Sequence, residues 1–128
     1  MTALTDAVKD EIQTAYRTWL AARDFKPRRG QRQMIAQIAR SLSADEDRIA
    51  VVEAGTGTGK TAAYCLAAIP LAQSLNKTIV LSTATVALQE QVILQDLPDI
   101  QERAGLKFSL TLAKGRGRYL CLKRLDDH

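Results

Sequence analysis

The sequence predicts an α/β fold, with a parallel sheet flanked by helices and preceded by an N-terminal helical segment. Three observations predict it. Two short, continuous apolar runs, Ile49-Ala50-Val51-Val52 and Thr78-Ile79-Val80-Leu81, have the character of strands covered on both faces. Stretches with apolar residues at helical spacing lie before, between and after these runs. A loop rich in glycine and threonine, Gly55-Thr56-Gly57-Thr58-Gly59-Lys60-Thr61, joins the first run directly to one of the helical stretches.

Taken in order, the first 24 residues place Leu4, Val8, Ile12, Ala15/Tyr16 and Trp19/Leu20 on one helical stripe, with Tyr16 and Trp19 as packing residues. Phe25-Lys26-Pro27-Arg28-Arg29-Gly30 interrupts the pattern with both a proline and a glycine. A second helix is expected from about Gln31, with Met34, Ile35, Ile38, Ala39 and Leu42 on its buried face. The first strand and the glycine-rich loop follow. A third helix opens near Lys60 through Ala62, Ala63, Leu66, Ala67 and Ala68, and Pro70 is expected to end or kink it. After the second strand, helical spacing runs from Val86 to Pro98 or somewhat beyond. Phe108-Ser109-Leu110-Thr111-Leu112 alternates as a third strand nearer a sheet edge. Strand, helix, strand, helix, strand at this spacing implies parallel βαβ units with right-handed crossovers.

The chain has 128 residues, 46% of them hydrophobic and 25% charged, which suits one domain with a hydrophobic core. No apolar run approaches the roughly 20 residues that span a bilayer. The N-terminus lacks a basic patch followed by an apolar stretch, so a cytoplasmic location is expected. Two cysteines, Cys65 and Cys121, exclude a disulfide framework, and Cys65 falls among Ala and Leu as a core residue. The net charge is +4, but its distribution is uneven. Between Arg103 and Leu125 stand Lys107, Lys114, Arg116, Arg118, Lys123 and Arg124 with no acidic residue, and Lys26, Arg28, Arg29 and Arg32 form a second cluster. A nucleic-acid footprint and a solvated basic face both fit these clusters.

The loop from Ala54 to Thr61 carries the chemistry. A phosphate-binding P-loop wraps backbone N–H groups around phosphate oxygens, so side chains obstruct it, and Gly55, Gly57 and Gly59 remove them. The following helix offers its N-terminal N–H groups and positive dipole end to the anion. Lys60 reaches the β and γ phosphates in such a loop, and the Thr61 hydroxyl ligates Mg²⁺. The strict pattern has a glycine where this chain has Ala54, a small residue that the position accepts. Hydrolysis also needs an acid that holds Mg²⁺, usually at the end of a later strand. The last expected strand ends in Ala113-Lys114, Glu53 precedes the loop, and Asp96 and Asp99 lie on a helical stretch. The chain therefore reads as the front piece of a larger protein and is expected to be inactive alone.

Four motifs now stand in order: Phe25-x-x-Arg28-x-x-Gln31-x-x-Met34; Glu53-Ala54 with the P-loop; Ser82-Thr83-Ala84-Thr85-x-x-Leu88-Gln89-x-Gln91; and Gly115-Arg116-Gly117-Arg118-Tyr119-x-Cys121. Together they resemble the opening of the iron–sulfur superfamily 2 helicases of the XPD/DinG type, over essentially the whole chain. The resemblance implies an incomplete RecA-like P-loop domain. Residues 1–24 would be an N-terminal helix. Residues 25–128 would be the first part of motor domain 1, with a Q-motif-like segment, the P-loop, motif Ia and the start of an iron–sulfur insert.

It further implies an enzyme that couples ATP hydrolysis to 5′–3′ movement along DNA, with a second RecA-like domain supplying an arginine finger. Lys60 and Thr61 would be catalytic. Ala54, Gly55, Thr56, Gly57, Thr58, Gly59, Lys60 and Thr61 would bind ATP, Thr61 would hold Mg²⁺, and Gln31 would read adenine with Arg28 supporting the pocket. From its own surroundings Gln31 is equally a polar residue at a helix start. Ser82-Thr83-Ala84-Thr85 would contact DNA phosphates, helped by Gln89 and Gln91, although unaided it is a strand end and helix N-cap. Cys121 would be the first ligand of a [4Fe–4S] cluster held only by the full-length protein, and as a lone cysteine it is an ordinary thiol. Tyr119 is a stacking or packing residue, as Tyr64 is a packing one. Single-stranded DNA, and duplex forks or R-loops, would be the partners, with no membrane and no obligate protein partner. A nucleotide- or DNA-binding chain without turnover, and a small P-loop kinase, are the alternative readings.

Overall fold

The computed structural model describes residues 4–46, 48–53 and 59–113. Its elements are α1 (Asp6–Arg23), α2 (Arg29–Ser43), α3 (Lys60–Ser74), α4 (Val86–Gln91), a π-helical segment (Val92–Asp96) and α5 (Leu97–Arg103). None of these helices is long and apolar enough to cross a membrane.

Helix α1 starts where the Thr5 hydroxyl accepts from the Val8 N–H at 3.3 Å, satisfying one of the helix's orphan donors. Its stripe of Val8, Ile12, Ala15, Tyr16, Trp19 and Leu20 is buried as the spacing predicts. Helix α2 buries Met34, Ile35 and Ala39, but Leu42 is an exception: it is 43% exposed, while Ser41 and Ser43 face inward. The Ser43 hydroxyl can be buried because it donates to the Ala39 carbonyl at 2.7 Å.

Helix α3 is the centre. Ala63, Cys65, Leu66, Ala67, Ile69, Pro70 and Leu71 are all buried, so apolar side chains point in almost every direction. Helices α1, α2 and α5 pack around it, α2 most extensively. Of the two outcomes expected at Pro70, an end or a kink, the first does not occur. The helix continues to Ser74 because the turn that loses a hydrogen bond is packed on all sides.

The stretch beginning at Val86 runs past Pro98 as expected, reaching Arg103 by way of the π segment. Thr85 caps its start by accepting from the Leu88 N–H at 3.1 Å. Pro98 supplies a reason for the wider turn. It has no N–H for the Leu94 carbonyl, and its ring crowds that carbonyl, so the helix widens just before it. Gly105, at φ +69°, then takes the left-handed conformation that closes α5.

The expected parallel sheet is not formed among the described residues. Residues 49–52, 78–81 and 108–112 carry no strand pairing. Ile49, Val51 and Val80 are 86%, 94% and 88% exposed, the opposite of the burial their apolar runs predict. A buried strand needs a neighbour on each edge and a layer on each face, and no second strand lies beside these segments among the described residues. The third segment keeps its predicted alternation, with Phe108, Leu110 and Leu112 half-buried between exposed Ser109 and Thr111. Gln73 donates to the Lys107 carbonyl, and Gln101 to the Phe108 carbonyl at 2.7 Å, which ties this segment to α3 and α5.

Helix α5 is joined to α1 by one carboxylate. Asp99 Oδ2 accepts from Trp19 Nε1 at 2.8 Å and from the Arg23 guanidinium at 2.9 Å, and its Oδ1 pairs with Arg103 at 2.8 Å. Replacing Asp99 with Ala leaves the indole N–H of a buried tryptophan without an acceptor. The expected loss is about 1–3 kcal/mol of stability, measured as a shift of the urea midpoint with Trp19 fluorescence as the probe.

Candidate nucleotide-binding site

A groove of about 560 Å³ opens between the end of α1, the loop before α2, the start of α3 and the α4–α5 stretch. Gln31, Gly59, Lys60 and Thr61 line it together with Phe25 and Arg28. Sequence-predicted residues from two separate motifs thus share one cavity. Ala54, Gly55, Thr56, Gly57 and Thr58 lie outside the described residues, as do Cys121, Tyr119 and the basic stretch from Lys114 onward.

Gly59 adopts φ +71° immediately before Lys60, a conformation that glycine takes without the steric cost borne by other residues. Its carbonyl accepts twice: from the Ala63 N–H at 3.0 Å, the opening bond of α3, and from Gln31 Nε2 at 3.2 Å. A Cβ at position 59 would lie 2.3 Å from that same Nε2, so the glutamine amide fills the space a side chain would need. Gln31 is 3% exposed, and its Oε1 accepts from the Tyr16 hydroxyl at 2.9 Å. A primary amide offers two N–H donors and two acceptor lone pairs. These contacts use one of each, leaving one donor and one acceptor position.

Around the phosphate end, Lys60 is exposed at the first turn of α3. The Thr61 hydroxyl oxygen accepts a long bond, 3.5 Å, from the Tyr64 phenol. Burial raises the Tyr64 pKa, and the bond to Thr61 partly offsets it. Tyr64 therefore does more than pack. On the rim, Phe25 is 43% exposed, meets Trp19 edge-on at 6.2 Å, and carries the Arg23 guanidinium 4.7 Å from its ring centroid. Its role as a wall was missed in the sequence, where the only signal was an aromatic residue six positions before Gln31.

Two carboxylates line the groove, Asp96 and Asp99. Asp99 is committed to Trp19, Arg23 and Arg103. Burial and then the neighbouring Asp99 charge raise the Asp96 pKa, while Arg23 and a hydrogen bond with Gln91 pull it back. Among the described residues, no three His, Cys, Asp or Glu side chains gather to hold a metal. Cys65, buried in α3 as predicted, has its thiol pushed up to about 12 by burial, with the Asp96 charge adding to the effect.

Residues 82–85 lead into α4. Thr85 is the N-cap of α4, the Thr83 hydroxyl donates to the Thr85 carbonyl at 3.4 Å, and Ser82 is exposed. Gln89 donates to the Ala113 carbonyl at 3.3 Å, while Gln91 lines the groove. Arg103, counted with the basic stretch, is paired with Asp99.

Residues 28–125 match the family model of the DEAD/DEAH box helicases. The chain belongs to this family. Helix α1 lies outside the matched segment, but curated relatives extend the similarity across it. The chain is 46% identical over 125 residues to proteins named ATP-dependent DNA helicase DinG in Escherichia coli K12 and Salmonella typhimurium. It is 44% identical over 127 residues to the protein of that name in Photobacterium profundum. These alignments take in 96% of the chain but only 17–18% of each relative. Membership of the helicase family implies a RecA-like fold.

The geometry sets two expectations. Gly59→Ala incurs the left-handed penalty of about 1–2 kcal/mol and also displaces the Gln31 amide. Thermal denaturation should show at least that loss, and an unchanged midpoint would contradict the contact. Cys65 should resist iodoacetamide at pH 8 until denaturant is added, followed by mass mapping of its peptide, because the reactive thiolate is scarce in the folded chain.

Proposed function

We propose that the chain is the N-terminal part of an ATP-dependent DNA helicase with 5′–3′ polarity, and that the groove holds ATP with Mg²⁺. The observation that carries this reading is the convergence of Gln31, Gly59, Lys60 and Thr61 on one cavity, from segments almost thirty residues apart. Lys60 pairs with the β and γ phosphates. The Thr61 hydroxyl, an acceptor with a lone pair beyond the one Tyr64 uses, ligates Mg²⁺. Residues 54–59 supply backbone N–H groups. Gln31 presents its spare donor and acceptor to adenine, and the Phe25 ring offers an aromatic face beside the base.

Single-stranded DNA is held by the motif Ia loop and by the basic stretch that ends near Arg124, and duplex forks or R-loops are the substrates. Cys121 is the first thiolate of a [4Fe–4S] cluster whose other ligands come from the rest of the protein. The relatives' printed names, with helicase, DNA and ATP in each, support the activity.

A second reading applies to the 128 residues by themselves: nucleotide binding without turnover. It is favoured by the carboxylates of the groove, since Asp99 is committed to Trp19, Arg23 and Arg103. The test is ATP hydrolysis by the intact helicase with and without single-stranded DNA. Stimulation by DNA, lost by at least a hundredfold in Lys60→Ala while circular dichroism stays unchanged, is the expected outcome. Undiminished hydrolysis in Lys60→Ala would remove the P-loop assignment.

A further inference from the structure

We propose that Tyr16, on α1, is a positioning residue for the phosphate loop. It acts by holding the Gln31 amide that pins the Gly59 carbonyl. The proposal rests on the nucleotide groove described above and adds to it a residue from outside the matched family segment, which begins at residue 28.

The hydrogen bonds form a directed chain. The Arg28 backbone N–H donates to the Tyr16 hydroxyl oxygen at 3.4 Å. That hydroxyl donates to Gln31 Oε1 at 2.9 Å, and Gln31 Nε2 donates to the Gly59 carbonyl at 3.2 Å. The direction is forced at its far end. A carbonyl can only accept, so the amide nitrogen must face Gly59 and the amide oxygen must face Tyr16. The phenol is then obliged to donate.

Both side chains are buried, Tyr16 at 8% and Gln31 at 3% exposure, so no bulk water stands ready to replace the phenol. Without the hydroxyl, Oε1 is left a buried acceptor that has lost its donor. The amide relieves this by rotating, and rotation withdraws Nε2 from Gly59. The Gly59 carbonyl then keeps only the Ala63 N–H, and the left-handed turn that launches Lys60 and α3 loses one of its two restraints. A loop that must present several N–H groups to one anion depends on such restraint, because each degree of freedom left open must be frozen when the anion binds. Tyr16 thus contributes to phosphate affinity without touching the nucleotide.

The consequence separates this role from base reading. A residue that helps Gln31 only to recognise adenine affects ATP and leaves a baseless polyphosphate alone. A residue that shapes the loop affects both. The experiment measures binding of Mg-ATP and of Mg-tripolyphosphate to the full chain by titration calorimetry, for wild type, Tyr16→Phe, Gln31→Leu, the double variant and Lys60→Ala.

Tyr16→Phe is expected to weaken both probes by the same factor, about threefold to tenfold. In the Gln31→Leu background it should add nothing further, because the path through the amide is already cut. Gln31→Glu, whose carboxylate cannot donate to Gly59, should match Gln31→Leu on tripolyphosphate and provides the comparison if Tyr16→Phe does not fold. Tripolyphosphate affinity unchanged in Tyr16→Phe or in Gln31→Glu overturns the proposal, and so does a Tyr16→Phe effect that persists in full beside Gln31→Leu. Loss of both probes in Lys60→Ala alongside either result leaves the nucleotide site standing without this role for Tyr16. Retention of both probes in Lys60→Ala removes the site itself.

Discussion

A helix with no polar face needs cover on every side, and α3 is such a helix. Its buried residues from Ala63 to Leu71 spread around most of its circumference, so α1, α2 and α5 are arranged by the need to shield it. The functional consequence lies at its first turn. Because the body of α3 is immobilised by packing, its N-terminus is a fixed platform, and the residues that precede it are set against fixed partners. The groove is the gap left where three covering elements meet the open end of the helix they protect.

Two polar side chains fall at the seams between covering elements. Asp99 gathers an indole and two guanidinium groups where α5 meets α1. Gln31 gathers a phenol and a backbone carbonyl where α1, α2 and α3 meet. Each is a side chain with several bonding positions shared among different elements, so each fixes an orientation that apolar packing alone leaves loose. A carboxylate with three donors is well compensated despite its partial burial, and the same holds for an amide with both ends engaged.

The helices were legible because their burial is decided by short-range periodicity. The stripe of α1, the start of α3 at Lys60 and the cap at Thr85 follow from local residues alone. The segments at 49–52 and 78–81 were legible in character but not in outcome. Their apolar runs describe an environment, and that environment is made by neighbouring strands rather than by the runs themselves. That α3 continues past Pro70 was not legible for a related reason: the proline's cost is local, while the packing that outweighs it is not. At the site, Lys60, Thr61 and Gln31 were marked by motif, and the structure places them on one cavity. Phe25's place on the rim and Tyr16's hydrogen bond to Gln31 were invisible, since an aromatic residue on an apolar stripe carries no sign of which way its hydroxyl or ring edge faces. The pairing of Arg103 with Asp99 had a local sign, the i,i+4 spacing of opposite charges on one helix.

The π segment at Val92–Asp96 has a geometrical consequence for the helix that contains it. An α-helix turns about 100° per residue, so a single wide turn advances everything after it by nearly that angle relative to an uninterrupted helix. Asp99, which meets Trp19 and Arg23, lies beyond the wide turn, so an uninterrupted helix would aim it in another direction. The segment therefore works as a splice between two shafts with independent orientations. Residue count between Val92 and Pro98 thus sets the compass bearing of Asp99, and this stretch should tolerate substitution far better than a change of length.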